Sequence, residues 1–313
     1  MIDRTVTIAA VGDVMLARDL VSLMDEHGAF YPFALVADLL RDADLTIANL
    51  EGTFTERGEP VLDKPFTFRT PPRFADGLAE AGIDLVSLGN NHAADFGPES
   101  LVDTIAALER VGVAYAGAGP DEAAARRPAF LEANGLRIAL LSYTDIPCAT
   151  FAGEDTPGVA FADADDIAAD VRDARERADI VIVSLHAGIE YTDAPDVTQR
   201  EPARAAVDAG AALVLGHHSH TLQGWERYGQ GLIVYSLGNF VFDLDADDLK
   251  NLGPRALESL VLSVTLSAQG VQDVTATPLF FDTRENRSRP ATAEEAEAIL
   301  RRLDQLNAIA GGP

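Results

Sequence analysis

Strand-length apolar runs alternate with helical patterns along the chain, and this alternation limits the fold more than any other feature of the sequence. Five runs have the composition of buried strands, at residues 5–11, 43–48, 83–88, 179–185 and 211–215. The helical patterns between them favour parallel strands joined by crossovers. Because parallel strands end at the same edge of a sheet, the residues that follow the five runs are predicted to lie close together.

Residues of metal-binding types follow all five runs. A carboxylate beside a glycine follows each of the first two, an amide and an imidazole follow the third, and imidazoles follow the last two. An ordinary turn or a packed histidine explains any one of these residues, but it does not explain all of them at one structural position. Asp95, one helical turn after His92, is expected to orient that ring. The predicted metal ligands are Asp13, Glu51, Asn91, His186, His218 and His220.

The stretch Gly216-His217-His218-Ser219-His220 carries three of the six histidines. Alternate residues of an extended segment share a face, so His218 and His220 can direct their rings to one point. Two carboxylates, an amide oxygen and three imidazoles exceed the needs of one tetrahedral ion. We therefore predict two divalent ions, and the mixed nitrogen and oxygen ligands favour Mn, Zn, Fe or Co over Mg or Ca. Such a pair polarises an oxyanion and generates a hydroxide nucleophile.

Residues 53–72 form a long loop that carries three cations, Arg57, Lys64 and Arg69. Long loops in compact domains are usually functional or mobile. Solvated surface charge explains Arg57 and Lys64 at least as well as substrate binding does. Arg69 is the better candidate for binding a substrate anion, because neighbouring aromatic residues and prolines restrain it.

Charge and composition exclude several classes of partner. With 50 acidic and 24 basic residues, the formal net charge is −26, which repels nucleic acid and anionic membranes. The apolar runs are too short to span a bilayer, and no signal peptide is recognised, which together favour a cytoplasmic location. The single cysteine, Cys148, excludes an internal disulfide and a cysteine-built metal site.

The C-terminal part of the chain is predicted to add antiparallel strands and a helix. Residues 259–266 and 274–281 alternate like paired strands, and residues 292–306 have a helical pattern. Before them, residues 245–248 are predicted to form an acidic surface loop.

The polar motifs resemble those of the CapA family of poly-γ-glutamate capsule synthesis proteins, which belongs to the calcineurin-like metallophosphoesterase superfamily. The resemblance extends from Thr7 to Asp243. The motifs that carry it are Gly12-Asp13-Val14-Met15, Asn49-Leu50-Glu51-Gly52, Phe66-Thr67-Phe68, Asn90-Asn91-His92 with Asp95 and Gly97, His186 with Glu190-Tyr191, Gly216-His217-His218-Ser219-His220, and Tyr235-Ser236-Leu237-Gly238-Asn239-Phe240.

The resemblance implies an α/β fold, a four-layer αββα sandwich of two mixed β-sheets flanked by helices. It also implies one domain over residues 1–313. In that domain the motifs lie in residues 5–243, and the strands and helix of residues 255–308 complete the sandwich.

The resemblance further implies a role for each site residue. His92 would be the general acid that protonates a leaving group, and Asp13 and Asp95 are expected to serve catalysis with it. The implied ligands are Asp13 and His220 for the first ion, Asn91, His186 and His218 for the second, and Glu51 at the bridging position. The residues expected to bind substrate are Arg69, Glu190, Tyr191 and Asn239.

Two residues depart from the superfamily pattern. Met15 stands where the first motif usually has a histidine, and Glu51 stands where an aspartate usually bridges the ions. Both departures are typical of the CapA branch. His217 is an additional imidazole without a role in the superfamily, and we expect it to be packed or to support a ligand.

The resemblance favours a metal-dependent hydrolase that acts on a phosphoester or on a γ-glutamyl or peptide amide. A metal-activated hydroxide would attack, and His92 would act as general acid. The expected substrate is a small molecule, a peptide or polyglutamate. One alternative is a non-hydrolytic isomerase or epimerase on a peptide, with Asp13 or His92 as base. Another is an accessory protein of polyglutamate synthesis or export with a vestigial site.

Overall fold

Two mixed β-sheets pack face to face, and helices cover their outer faces. The computed structural model describes residues 4–62, 64–148, 150–244, 249–251 and 253–311. The predicted acidic loop at residues 245–248 lies outside the described residues.

The strands are numbered in chain order. They are β1 (Thr5–Val14), β2 (Leu45–Leu50), β3 (Thr53–Phe54), β4 (Arg69–Thr70), β5 (Leu85–Ser87), β6 (Ala114–Ala116), β7 (Ala118–Gly119), β8 (Ala129–Ala133), β9 (Leu136–Thr144), β10 (Gly158–Val159), β11 (Ile180–His186), β12 (Leu213–His217), β13 (Trp225–Tyr228), β14 (Gly231–Val234), β15 (Asn239–Val241), β16 (Glu258–Ser267), β17 (Gly270–Asp282) and β18 (Arg287–Pro290).

Within the described residues, the larger sheet has the order β18-β17-β16-β1-β2-β5-β6, and β15 pairs with β1 beyond the end of β16. Its strands β15, β1, β2, β5 and β6 are parallel, whereas β16, β17 and β18 are antiparallel. The smaller sheet has the order β13-β14-β12-β11-β9-β8, with a parallel centre from β14 to β9. Each sheet therefore has one edge at which several parallel strands end.

Side chains alternate between two cores along each central strand, as the strand period of two requires. Ile8 of β1 and Ile182 of β11 are buried in a core between the sheets, which the C-terminal helix closes with Leu303. Val11 faces the other way, into a core with the helices that cover the larger sheet. Val183 belongs to a third core, between the smaller sheet and its helices. These three cores establish the four layers.

The helices are also numbered in chain order. They are α1 (Asp19–His27), α2 (Ala37–Arg41), α3 (Asp76–Ala81), α4 (Pro98–Val111), α5 (Glu122–Ala125), α6 (Ala164–Arg175), α7 (Val197–Ala209) and α8 (Ala293–Ala310). Helices α1 to α4 pack on the larger sheet, and α6 and α7 pack on the smaller one. In the described part of the chain, no helix combines the length and the apolar composition that a membrane crossing needs.

The predicted αββα sandwich is confirmed, and so are the five apolar runs as strands. Helix α7 begins at Val197, because Asp196 and Gln199 form a capping box there, and it continues through Pro202. The single domain over residues 1–313 stays a prediction.

Candidate metal centre

The parallel ends of both sheets meet at Asp13. In the larger sheet, Asp13 is in register with Asn49 of β2 on one side and Asn239 of β15 on the other. The amide of Asn49 donates to Asp13 Oδ1 at 2.8 Å and lies 3.3 Å from His186 Nδ1, on the last residue of β11 in the smaller sheet. His217 Nδ1, on the adjacent strand β12, lies 3.2 Å from Asp13 Oδ1. Two strand ends from each sheet therefore form one buried polar cluster.

One group of donors surrounds Asp13. Single ligand atoms of Asp13, Glu51 and His220 lie within 4.8 Å of one another. His220 Nδ1 is 3.6 Å from Asp13 Oδ2, and its Nε2 is 3.9 Å from Glu51 Oε1. Two carboxylates and an imidazole at this spacing are suited to one divalent ion.

A second group of donors lies on the other side of Glu51. His186 Nε2 is 2.9 Å from Asn91 Oδ1 and 3.9 Å from Glu51 Oε1. The ring of His218 stacks obliquely beside that of His186, with 4.8 Å between the ring centres. Glu51 is therefore within reach of both groups, as a bridging carboxylate must be. The structure brings together all six residues predicted as ligands.

The unpaired carboxylate of Glu51 shows that the cluster fits a cation. Glu51 is fully buried, and among the described residues neither of its oxygens has a hydrogen-bond partner. Burial raises the pKa of Glu51 well above its ordinary value, and the nearby Asp13 adds to this effect. His218 Nδ1 is likewise buried without a described partner. A buried charge is stable only when it is paired, and divalent ions are the partners that match these donors.

Two histidines of the centre, His186 and His218, are held in the form that binds metals. Burial lowers the pKa of His218 to about 3 and that of His186 well below its ordinary value. Both imidazoles are therefore neutral at pH 7 and keep a lone pair for an ion. Burial alone would raise the pKa of Asp13, but its contacts with His217 and His220 hold that pKa below its ordinary value. Asp13 is thus ionised and ready to bind.

His92 stands beside these donors in a separate polar network. Its Nδ1 lies 2.7 Å from Asp95 Oδ2, and its Nε2 lies 3.8 Å from Glu51 Oε1. Lys64 pairs with the other oxygen of Asp95 and donates to the Asn91 carbonyl at 2.5 Å. Burial lowers the pKa of His92 to about 4, although Asp95 acts in the opposite direction. The ring is thus held with Nε2 directed toward Glu51.

The loop after β12 has an unusual backbone. His218 and His220 adopt φ angles of 89° and 53°, in the left-handed region that residues with a Cβ seldom occupy. Just before them, Gly216 lies so close to Tyr235, the residue after β14, that a Cβ would stand 1.9 Å from the Tyr235 carbonyl oxygen. Backbone strain of this kind persists where the surrounding structure enforces it, and it is concentrated at functional sites.

Three of the four residues predicted to bind substrate lie at the centre, and Arg69 does not. Asn239 Oδ1 lies 2.9 Å from His220 Nδ1, so Asn239 fixes a ligand ring. Tyr191 lies with its ring centre 6.1 Å from that of His220. Glu190 is exposed, within ligand distance of His218 and His220. These three residues lie at the centre, and their contact with substrate stays a prediction.

Arg69 does not have the position expected for it. Its guanidinium donates to the Gly58 carbonyl at 2.6 Å and lies over the ring of Phe96, at 3.7 Å from the ring centre. Through these contacts Arg69 stabilises the conformation of the long loop. Lys64, which surface charge explained at least as well as substrate binding, is the cation of that loop that reaches Asp95 and His92.

Two asparagines were also missed as supports of the centre. Asn90 donates to Asn49 Oδ1 at 3.1 Å and to the Leu50 carbonyl at 2.8 Å, and it accepts from the backbone N–H of His92 at 3.0 Å. Asn49 in turn holds Asp13. The signal available in the sequence was the position of Asn49 and Asn90 in the same two motifs as the ligands.

A cleft of about 360 Å³ opens beside the centre. Asn91, His92, Lys64, Cys148 and Glu190 are among the residues that line it. The cleft therefore opens onto His92, Asn91 and Glu190.

The comparison with family models decides which family this site belongs to. The model described as bacterial capsule synthesis protein PGA_cap matches residues 7–244, which contain every residue of the cluster. The chain belongs to the PGA_cap family. The resemblance to CapA is thereby confirmed.

Curated relatives of this PGA_cap chain carry names from capsule synthesis. The capsule biosynthesis protein CapA of Bacillus anthracis is 34% identical over 245 residues, which cover 76% of this chain and 60% of the relative. The PGA biosynthesis protein CapA of Bacillus subtilis is 34% identical over 244 residues, covering 77% and 64%. A probable polyglutamine synthesis accessory protein of Mycobacterium tuberculosis is 34% identical over 239 residues, covering 72% and 63%. The chain thus spans about three-fifths of the length of these relatives.

Solved structures share the fold of this PGA_cap chain. A phosphatase from Mycoplasma pneumoniae superposes with a TM-score of 0.55 at 14% identity, covering 91% of this chain and 97% of that one. A putative 5′-nucleotidase from Staphylococcus aureus gives a TM-score of 0.54 at 15% identity, covering 96% and 58%. At such identities the likeness shows the fold alone, which this chain shares with the phosphatase and the putative 5′-nucleotidase.

Proposed function

We propose that this chain is a hydrolase with two metal ions, acting on a γ-glutamyl or peptide amide or on a phosphoester in polyglutamate metabolism. The observation that carries the proposal is the fully buried, unpaired carboxylate of Glu51 between two groups of donors, with His92 Nε2 3.8 Å away. A metal site that served only the fold would not need an imidazole held beside the bridging carboxylate at the end of an open cleft.

The first ion would be held by Asp13, Glu51 and His220, and the second by Glu51, Asn91, His186 and His218. When bound, such ions supply Lewis acidity toward the bond to be cleaved and a water molecule of lowered pKa. Mn, Zn, Fe and Co match these nitrogen and oxygen donors better than Mg or Ca does.

The remaining chemistry belongs to His92 and its neighbours. Asp95 fixes the ring through Nδ1, so Nε2 is the atom that can pass a proton to a leaving group. In the free site His92 is neutral, because burial lowers its pKa to about 4. An anionic substrate in the cleft would favour its protonated form, since an adjacent negative charge raises the pKa of an imidazole. His92 would thus take up the proton as the substrate binds.

The substrate class follows from charge and from the relatives. Two relatives are named for capsule or PGA biosynthesis, and polyglutamate is an acidic chain. With a formal net charge of −26, this chain repels polyanions unless a local cation offsets the field. Bound divalent ions and Lys64 would provide that positive charge at the cleft. The isomerase alternative is less supported for Asp13, which is fully buried and engaged by Asn49 and His217.

A role as a synthesis accessory protein is the second candidate, because a relative carries that description. Hydrolysis assays separate the two. The chain, stripped with EDTA and reloaded with Mn²⁺, is incubated with bis(p-nitrophenyl) phosphate and with γ-glutamyl-p-nitroanilide. The hydrolase proposal expects nitrophenol or nitroaniline release that needs the metal and falls in the His92→Asn variant. A chain that binds no metal and cleaves neither substrate would favour the accessory role with a vestigial site.

A further inference from the structure

Glu190 lies at the exposed rim of the metal centre. One of its carboxylate oxygens and one ring nitrogen each of His218 and His220 lie within 4.8 Å of one another. Glu190 also lines the cleft together with Asn91 and His92. Its carboxylate is thus in reach of the ions and of the space in front of them.

The two groups of donors are unequal within the described residues. The group around His186 offers four side chains, since Asn91, His218 and the shared Glu51 accompany it. The group around Asp13 offers three, Asp13, Glu51 and His220. Ions of this type bind four or more ligands, so the group around Asp13 is one protein donor short of the other.

Met15 does not supply the missing donor. Its side chain is fully buried in a small apolar cluster with Phe68 and Phe242. Its Sδ accepts a hydrogen bond from the Ala17 N–H at 3.1 Å. A thioether is also a soft ligand that matches Mn or Zn poorly. Met15 is therefore not the additional donor of this group.

The backbone beside Glu190 is fixed to the histidine loop. The Tyr191 N–H donates to the Ser219 carbonyl at 2.8 Å, and Ser219 lies between the two histidine ligands. One residue further, the Thr192 carbonyl accepts from Gln223 Nε2 at 3.0 Å. Gly188 begins this turn with φ +101°, and a Cβ there would meet Gln199 Cδ at 2.4 Å. The carboxylate of Glu190 is thus presented to the ions by a backbone that is already ordered.

The charge of Glu190 also favours its coordination to an ion. A free carboxylate at the mouth of the cleft would repel an acidic substrate, and Glu190 already contributes to raising the pKa of Glu51. Coordination to a divalent ion neutralises this charge and leaves the cleft open to an anion.

We propose that Glu190 is a metal ligand that completes the donors of the ion bound by Asp13, Glu51 and His220. It occupies the side of the centre that faces the cleft, and it replaces the donor that Met15 cannot supply. This inference rests on the proposed two-ion centre.

The test is calorimetric titration of the EDTA-treated full chain with Mn²⁺. Wild type is expected to bind two ions. In Glu190→Gln, the affinity for one of the two ions is expected to fall by at least about tenfold. Removal of a residue that only supports a metal ligand already causes a loss of this size. The second ion should bind as in wild type, which shows that the variant is folded. Glu190→His should restore the weakened site to within a few-fold, because imidazole is also a donor.

The control is Glu201→Gln, which removes the same charge from an exposed position on α7 and should leave both affinities unchanged. If wild type and Glu190→Gln bind two ions with equal affinities, Glu190 is not a ligand, although the two-ion centre stands. If wild type binds no ion, the inference and the proposed function both fail.

Discussion

Asp95 Oδ2 lies 2.7 Å from His92 Nδ1, and the other oxygen of the same carboxylate is paired with Lys64. Asp95 Oδ2 also accepts from the backbone N–H of Phe68 at 2.7 Å, and the ring of Phe68 stacks on that of His92 with 4.2 Å between the ring centres. The imidazole of His92 is therefore held at Nδ1 by Asp95 and on its face by Phe68. Its free Nε2 points toward Glu51.

Replacing this imidazole should remove catalysis and leave the ions in place. We expect His92→Asn to lower kcat by about 100- to 10,000-fold, the usual contribution of a general acid, while two Mn²⁺ ions still bind. Turnover of the better of the two chromogenic substrates and metal content after dialysis measure the two effects. His27→Asn is the control, because His27 is an exposed residue of α1. Loss of an ion from His92→Asn would show that His92 is a ligand instead.

Glu51 should lower the stability of the metal-free protein. Its buried carboxylate has no described partner, so Glu51→Gln should raise the free energy of unfolding of the EDTA-treated chain by about 1–3 kcal/mol. The same substitution should abolish the stabilisation that Mn²⁺ gives to wild type, since an ion that binds only the folded chain raises its stability. Urea unfolding with and without Mn²⁺ measures both.

Glu226 provides the matched comparison for Glu51. It is also buried, but it pairs with Arg204 at 3.1 Å and accepts from the Tyr235 hydroxyl at 2.7 Å. Glu226→Gln should therefore destabilise the metal-free chain by about 1–3 kcal/mol. A destabilised Glu51→Gln variant would contradict the account, because it would mean that Glu51 is already satisfied without ions.

Acid should destabilise the metal-free centre. Burial lowers the pKa of His92 to about 4, against an ordinary value of about 6.5, so between these values the unfolded chain binds a proton that the folded chain does not. Stability is therefore lost as the pH falls from 6.5 to 4, by about 3 kcal/mol for this group. The raised pKa of Glu51 acts in the opposite sense, because the folded chain takes up a proton there.

The Glu51→Gln variant removes the opposing effect and gives the clearer measurement of pH dependence. Its urea midpoint without metal should fall between pH 7 and pH 4.5, and adding His92→Asn should flatten part of that slope. A midpoint independent of pH in this range would mean that the buried imidazoles are not the source of acid sensitivity.

Arg302 on the C-terminal helix should support the site from outside the family-matched residues. It pairs with Glu258, donates to Asp193 at 2.8 Å and donates to Thr221 Oγ1 at 3.0 Å, next to His220. Arg302→Met should destabilise the chain by about 2 kcal/mol and weaken Mn²⁺ binding. Arg301→Met should change stability by less than about 0.5 kcal/mol, because its pair with Glu297 is exposed. Equal effects of the two substitutions would show that Arg302 does not support the site.

The sequence predicted that the proposed ligands would lie close together, because the strand ends that carry them follow long-range rules. Asp13, Glu51 and His186 lie at the ends of apolar runs, and parallel strands bring such ends to one edge. These rules do not predict how each histidine ring is oriented. His218 and His220 adopt left-handed backbone angles that no pattern of residue types indicates.

Lys64 and Arg69 show why the long loop was harder to predict. Neither residue lies on a periodic element, so their positions depend on how the loop packs. The Arg69 guanidinium lies over the ring of Phe96, and Lys64 pairs with Asp95. An aromatic ring does restrain Arg69, but it is that of Phe96, which is distant in the sequence, and with the Gly58 carbonyl it holds Arg69 within the loop.

The most direct measurement is a crystal structure of the Mn²⁺-loaded chain with anomalous scattering at the manganese edge. Two anomalous peaks are expected about 3.5–4 Å apart, both in contact with the carboxylate of Glu51. One peak should adjoin Asp13 and His220, and the other should adjoin His186. If no peak lies at Glu51, or if only one peak contacts its carboxylate, then this carboxylate does not join two ions.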